Sequence, residues 1–219
     1  MTEDQFTRLL AEVDIAYNQS DVKQNHGGKN WHYSLSATPL KPECILLLGF
    51  NWGASKTDCH SPQPSMPVRP FMEMSNGDLG SFARIRSMLP EYFSAKELED
   101  IGQSNFCFFR SSKEHEISER DLQLCIPPFM QLLEYTKPRL IMCFSARLRD
   151  FLLASTDTPI SDRMEEVSSQ SPQRSTRSIR AIKGVLSIAN RQTPIVFLPH
   201  PNARVSGESR KNAWRFALK

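Results

Sequence analysis

The chain has 219 residues, 39% of them hydrophobic, and a formal net charge of +3. This length suits one α/β domain with a real core, and the composition excludes a disordered chain. No apolar run approaches the ~20 residues that span a bilayer, and the acidic, amphipathic start lacks the basic and apolar regions of a secretory signal. A soluble, intracellular, cytoplasmic protein is therefore expected.

The charge is uneven. Residues 163–219 hold eleven Lys/Arg against three Asp/Glu, a local +8. Such a quarter reads either as a side that faces a polyanion or as a solvated helix face. The five cysteines include no CxxC pair. Cys44, Cys107 and Cys143 lie in or beside apolar segments, which favours buried free thiols over a metal site.

Taken in chain order, Phe6, Leu9, Leu10, Val13 and Tyr17 recur at helical spacing and predict a first helix ending near "NQSD". "CILLLGF" (Cys44 to Phe50) has the length and continuous apolarity of a strand buried on both faces. A Pro- and Ser-rich loop follows, then a helix "LGSFARIRSML" capped by Asp78 or Ser81. Ile101 to Phe109 reads as a second strand. Ser118 and Asp121 form a variant capping box for a helix that Pro127 and Pro128 should break or kink. "RLIMCF" (Arg139 to Phe144) is a third strand, and a helix begins at Ser145. Thr156 to Thr176 is polar and reads as a long, flexible loop insert. A helix over "RSIRAIKGVLSIANR", a fourth strand "TPIVFLPH" and a terminal helix from "GESRKNAW" complete the chain.

Alternating strands and helices predict a three-layer α-β-α sandwich with a central four-stranded parallel sheet, in a single domain. Ligands of such sheets bind at the carboxyl ends of the strands. Those ends deliver Asn51 after the first strand and Asn105 on the second, with Arg110 and Ser111 close by. Ser145 and Arg147 follow the third, and His200, Pro201, Asn202 and Arg204 follow the fourth.

"GFNWGAS" resembles the GINPGLS-type first motif of the uracil-DNA glycosylase superfamily, and "LPHPNARVSG" resembles its HPS-type second motif. Two segments between them are similar to blocks of the iron–sulfur branch: "VRPFMEMSNGDLGSFARIRSML", and the stretch from "SNFCFFRS" through "ERDLQLCIPPF" to "KPRLIMCFS". The matches keep the family order across residues 44–214. The resemblance implies a monomeric, monofunctional glycosylase of single- or double-stranded DNA. It would flip out uracil or a related deaminated base and hydrolyse the N-glycosidic bond to leave an abasic site. The cluster cysteines of the iron–sulfur branch are missing, so no metal and no cofactor are expected.

By the same resemblance His200 would donate a hydrogen bond to the uracil oxygen that gains charge as the bond breaks. Asn105 would read the base edge, since its amide offers donors and an acceptor in one plane. Phe71 would be the stacking platform. Gly49, Trp52 and Gly53 would line the base site. Asn51 would hold the attacking water; an amide is no general base, so slow turnover is expected. Asn202, Arg204, Val205, Ser206, Arg210 and Lys211 would meet the DNA, with Arg204 or Val205 filling the vacated stack and backbone amides at Ser206 to Glu208 taking a phosphate.

Each residue also has a structural reading: a histidine satisfied at a strand end, asparagines in turns, a core phenylalanine. Trp52 stands where proline is usual, and Asn202 where serine is. These departures keep open a protein of the same fold that binds nucleic acid or a nucleobase without cutting. An unrelated enzyme with Ser145 or a cysteine as nucleophile lacks a G-x-S-x-G elbow.

Overall fold

The structure is a computed structural model that describes residues 1–25, 31–54, 60–168 and 179–219. Its strands are β1 (Ile45–Gly53), β2 (Ile101–Ser111), β3 (Leu140–Cys143), β4 (Ile160–Ser168), β5 (Ile179–Ile188) and β6 (Arg191–Phe197). Its α-helices are α1 (Glu3–Asn18), α2 (Asp21–Asn25), α3 (Asn76–Leu79), α4 (Ala83–Met88), α5 (Ala95–Leu98), α6 (Glu119–Thr136), α7 (Ala146–Ala154) and α8 (Gly207–Leu218).

The strands make one sheet in the order β2-β1-β3-β6-β5-β4. The four expected strands are its parallel half. The sheet has six strands rather than four, because β5 and β4 extend it antiparallel beyond β6. Both additions correct the sequence reading. Residues 179–188, expected as a helix, are β5. Ile182, Leu186 and Ile188 enter the core on one face, and Ile179 and Ala181 enter it on the other. Of the expected loop insert, 160–168 is the edge strand β4; 169–176 lies outside the described residues. The β4 edge carries exposed charge, including Glu165 in an ion pair with Arg180 at 2.5 Å, which discourages pairing with other chains.

Alternate residues of β1 feed two cores. Leu46, Leu48 and Phe50 pack with residues of α1, α6 and α7, whereas Ile45 and Leu47 pack with residues of α3, α4 and α8. Helices thus flank the sheet on both faces. The Ser118–Asp121 capping box forms, and Asp121 also accepts the Asp21 amide at 2.8 Å, which fastens α2 to α6. Helix α6 runs unbroken through Pro127 and Pro128, anchored by Leu122, Cys125, Phe129, Leu132 and Leu133 in the core. The helix expected over "LGSFARIRSML" is α4, which starts after Phe82 without a side-chain cap, so neither Asp78 nor Ser81 caps it; Ser75 caps the short α3 before it by accepting the Asp78 amide. Ser145 caps α7 as expected.

Chain order sets the position of the site. From β1 the chain crosses to β2 on one side, then returns past β1 to β3 on the other. Between β1 and β3 lies the topological switch point, where open α/β sheets form a crevice beyond their strand ends.

Candidate functional site

Leu48, Cys143 and Phe197 share one rung across β1, β3 and β6. Strand β3 stops at this rung, while β1 continues to Gly53. Asn51 and His200 each lie three residues past the rung, one on β1 and one after β6, with the shortened β3 between them. Two strand spacings put the two carrier segments about 10 Å apart.

Asn105 sits beside Gly49 in the β1–β2 register. It is only 5% exposed, and among the described residues its carboxamide has no hydrogen-bond partner. Neither of its amide atoms is among the sealed, unpaired polar atoms of the described residues, so the amide is an accessible donor–acceptor pair at the end of a nearly enclosed side chain. Gly49 is what lets it lie there: a Cβ on Gly49 would fall 2.0 Å from Asn105 Oδ1. The same Cβ would lie 3.4 Å from Phe82 Cε2, so the amide rests beside an aromatic wall that continues into Phe144, whose ring meets Phe82 edge-on at 5.6 Å.

Asn51 is half-buried and oriented. Its Nδ2 donates to Ser111 Oγ at 2.7 Å and to Trp52 O at 3.0 Å. Ser111 in turn donates its hydroxyl proton to Lys113 O at 2.8 Å, so its oxygen is left to accept from Asn51. This relay fixes which end of the Asn51 amide is which. Oδ1 is left as an acceptor with no partner among the described residues. Ser111 was visible in the sequence as a strand-end hydroxyl, but nothing there pointed to this orienting role.

His200 is exposed in a tight turn, where Ala203 N–H donates to His200 O at 2.8 Å. The Asn202 backbone N–H donates to His200 Nδ1 at 3.1 Å. A backbone N–H can only donate, so Nδ1 carries no proton and the neutral ring keeps its proton on Nε2. Partial enclosure of the ring, and then the positive charge of Arg210, hold its pKa below the ordinary histidine value. The group is therefore a neutral Nε2–H donor near pH 7.

Other expected site residues fall elsewhere. Phe71 is 1% exposed and belongs to the core cluster with Leu79, Phe82 and Phe144, so it is a core side chain rather than an open platform. Trp52 lies past an irregularity in the β1–β2 register and lines a separate cleft of about 590 Å³ with Ser34, Gln63, Arg69 and Arg110. Its ring lies 5.9 Å from the Arg110 guanidinium, and Gly53 O accepts from Arg110 at 3.1 Å. A Cβ on Gly53 would touch nothing within 4 Å, so space does not require that glycine. The aromatic residues Trp31 and Tyr33, earlier in the chain, are buried, and the Tyr33 hydroxyl donates to Asp14 at 2.8 Å.

The loop after His200 is held rather than free. Arg210 donates to His200 O at 3.2 Å and Ala203 O at 2.9 Å, and Arg84 donates to Pro201 O at 3.5 Å. Val205 packs against the core, and Ser206 caps α8 by accepting the Ser209 amide. Asn202 and Arg204 are exposed. Lys211 forms a loose pair with Glu91 at 3.8 Å, both about half exposed, which contributes little. Two cations of the basic quarter are engaged elsewhere, Arg180 with Glu165 and Arg191 with Glu43.

Cys44, Cys107, Cys125 and Cys143 are buried free thiols; Cys59 lies outside the described residues. Burial pushes the Cys44 and Cys143 thiols up to about 12 and raises that of Cys107, which disfavours any of the three as a nucleophile. The Ser145 hydroxyl is engaged as the α7 cap. Among the described residues, no helix is long and apolar enough to cross a membrane. The chain matches no known protein-family model, and no curated protein is significantly similar to it.

Proposed function

We propose that this protein is a monomeric, intracellular DNA glycosylase of base excision repair that removes uracil or a related deaminated base. The observation that carries this reading is the Asn105 carboxamide: nearly enclosed but not sealed, without a side-chain partner among the described residues, and lodged against Gly49 of β1. A planar donor–acceptor pair of this kind suits the N3–H and O4 edge of a flipped uracil. Cytosine presents the opposite polarity there, and a site whose own polar groups would stay unpaired rejects it strongly. His200, neutral with its proton on Nε2, donates to the base oxygen as the glycosidic bond breaks and negative charge develops there. Asn51 offers Oδ1 to a water below the sugar, its amide pinned by Ser111. The bond between sugar and base breaks, the base leaves as an anion, and water adds to the sugar cation to give an abasic site, its released proton neutralising the departed base. No cofactor takes part.

Two observations favour a second reading, a nucleic-acid or nucleobase binder without cleavage. Asn51 brings no negative charge to an oxocarbenium-like sugar, and the ring expected to stack the base, Phe71, is sealed in the core.

Labelled single- and double-stranded DNA carrying one uracil, treated with alkali after incubation, separates the two. Strand scission that disappears in His200→Ala supports the glycosylase. Salt-sensitive binding without scission supports the binder. Neither scission nor binding rejects both.

A further inference from the structure

A cleft of about 440 Å³ separates α4 from the loop that follows His200. Its lining includes Arg84, Arg204 and Arg210, with Ser87 and Asn202, and among the described residues contains no carboxylate. Arg84 and Arg210 come from different helices and form no ion pair among the described residues. Each also has donors to spare. Of the five N–H groups on a guanidinium, Arg84 uses one and Arg210 two, all on carbonyls of the same turn. Two like charges gathered over one turn, with no counter-ion among the described residues, repel each other. Both are relieved by an anion that accepts from the two forks, and phosphate geometry matches a guanidinium fork.

We infer that this cleft is a phosphate-binding site whose occupancy is felt at His200. The physical link is Arg210, which touches the cleft and also donates to His200 O. The charges facing His200 are those of Arg210 on α8 and, through Pro201, of Arg84 on α4. Its other close contact is the Asn202 N–H. A bound phosphate offsets the Arg210 charge, so protonation of the ring becomes easier and the Nε2–H donor is tuned by whatever lies in the cleft. The ligand is a phosphate oxyanion, either free or part of a nucleic-acid backbone. The site stands whether or not the base-excision reading does, because base cleavage is not its readout.

The test is an NMR titration of the His200 ring in the full chain, with inorganic phosphate against sodium chloride at matched ionic strength. Phosphate is expected to move the His200 titration midpoint upward, and chloride to leave it in place. Arg84→Ala and Arg84→Gln, both at an exposed position, are expected to weaken phosphate binding about tenfold or more. An undamaged oligonucleotide is the third arm. If it moves His200 where inorganic phosphate does not, the site takes a backbone phosphate; if both do, it takes phosphate generally. An equal response to chloride, no response to phosphate or to the oligonucleotide, or unchanged affinity in both Arg84 variants overturns the inference.

Discussion

Gly49→Ala is the most direct probe of the proposed base reader. The added methyl would sit 2.0 Å from Asn105 Oδ1 and 3.2 Å from its Cγ, where contacts below 3.0 Å are essentially never seen. The Asn105 amide must therefore retreat by about 1 Å, in a place where the residue is almost wholly enclosed. Overpacking of this kind costs about 1–3 kcal/mol of stability. A displacement of about 1 Å in a positioning group costs on the order of 100-fold in rate. Thermal unfolding and single-turnover excision of uracil should show both losses. Asn105→Ala removes the clashing atoms, so Gly49→Ala in that background should cost little stability. The non-additivity of the pair is the diagnostic quantity. Gly53→Ala is the matched control, with open space at its Cβ, and should stay within about 0.5 kcal/mol of the parent. Full stability and activity of Gly49→Ala, or an equal cost with and without the Asn105 side chain, would rule out a clash at Asn105.

Ser111→Ala releases the Asn51 amide while leaving its bond to Trp52 O. It should lower single-turnover excision about three- to tenfold, the worth of one hydrogen bond, with little change in substrate affinity. Phe71→Ala should lower unfolding stability by about 3–5 kcal/mol, as for a core aromatic; a large loss of binding with intact stability would instead mark it as a surface platform. The His200 pKa is lowered in the folded chain, so excision should rise with pH through a midpoint below 6.5 and level off above it. The same shift has a stability consequence. The unfolded imidazole takes up its proton first, so His200 contributes full stability above about 6.5, and this is lost as the pH falls toward the lower folded value. Comparing the acid side of the unfolding profile in the parent and in His200→Ala checks the sign.

The sequence by itself determined the parallel half of the sheet. "CILLLGF" and "RLIMCF" are nearly continuous apolar runs because their strands are buried on both faces, and Ile101 to Phe109 ends in the apolar run "FCFF" after the buried polar residues Gln103, Ser104 and Asn105. It also placed Asn51 and His200 where apolar runs stop, and Asn105 on the second strand. What it misread shares one cause. In β5 both faces are buried, so Ile179, Ile182 and Leu186 fall by chance at helical spacing. Strand β4 is polar and exposed, and only its pairing with β5 makes it a strand. The prolines of α6 were outweighed by the core residues that hold that helix in place. The site divides in the same way. Residue types at strand ends could be read along the chain. The glycine that makes room for Asn105, the hydroxyl relay that orients Asn51 and the arginines that grip the His200 turn could not. Each depends on which side chains, distant in sequence, come within a few ångströms of one another, and only the packed sheet and its helices decide that.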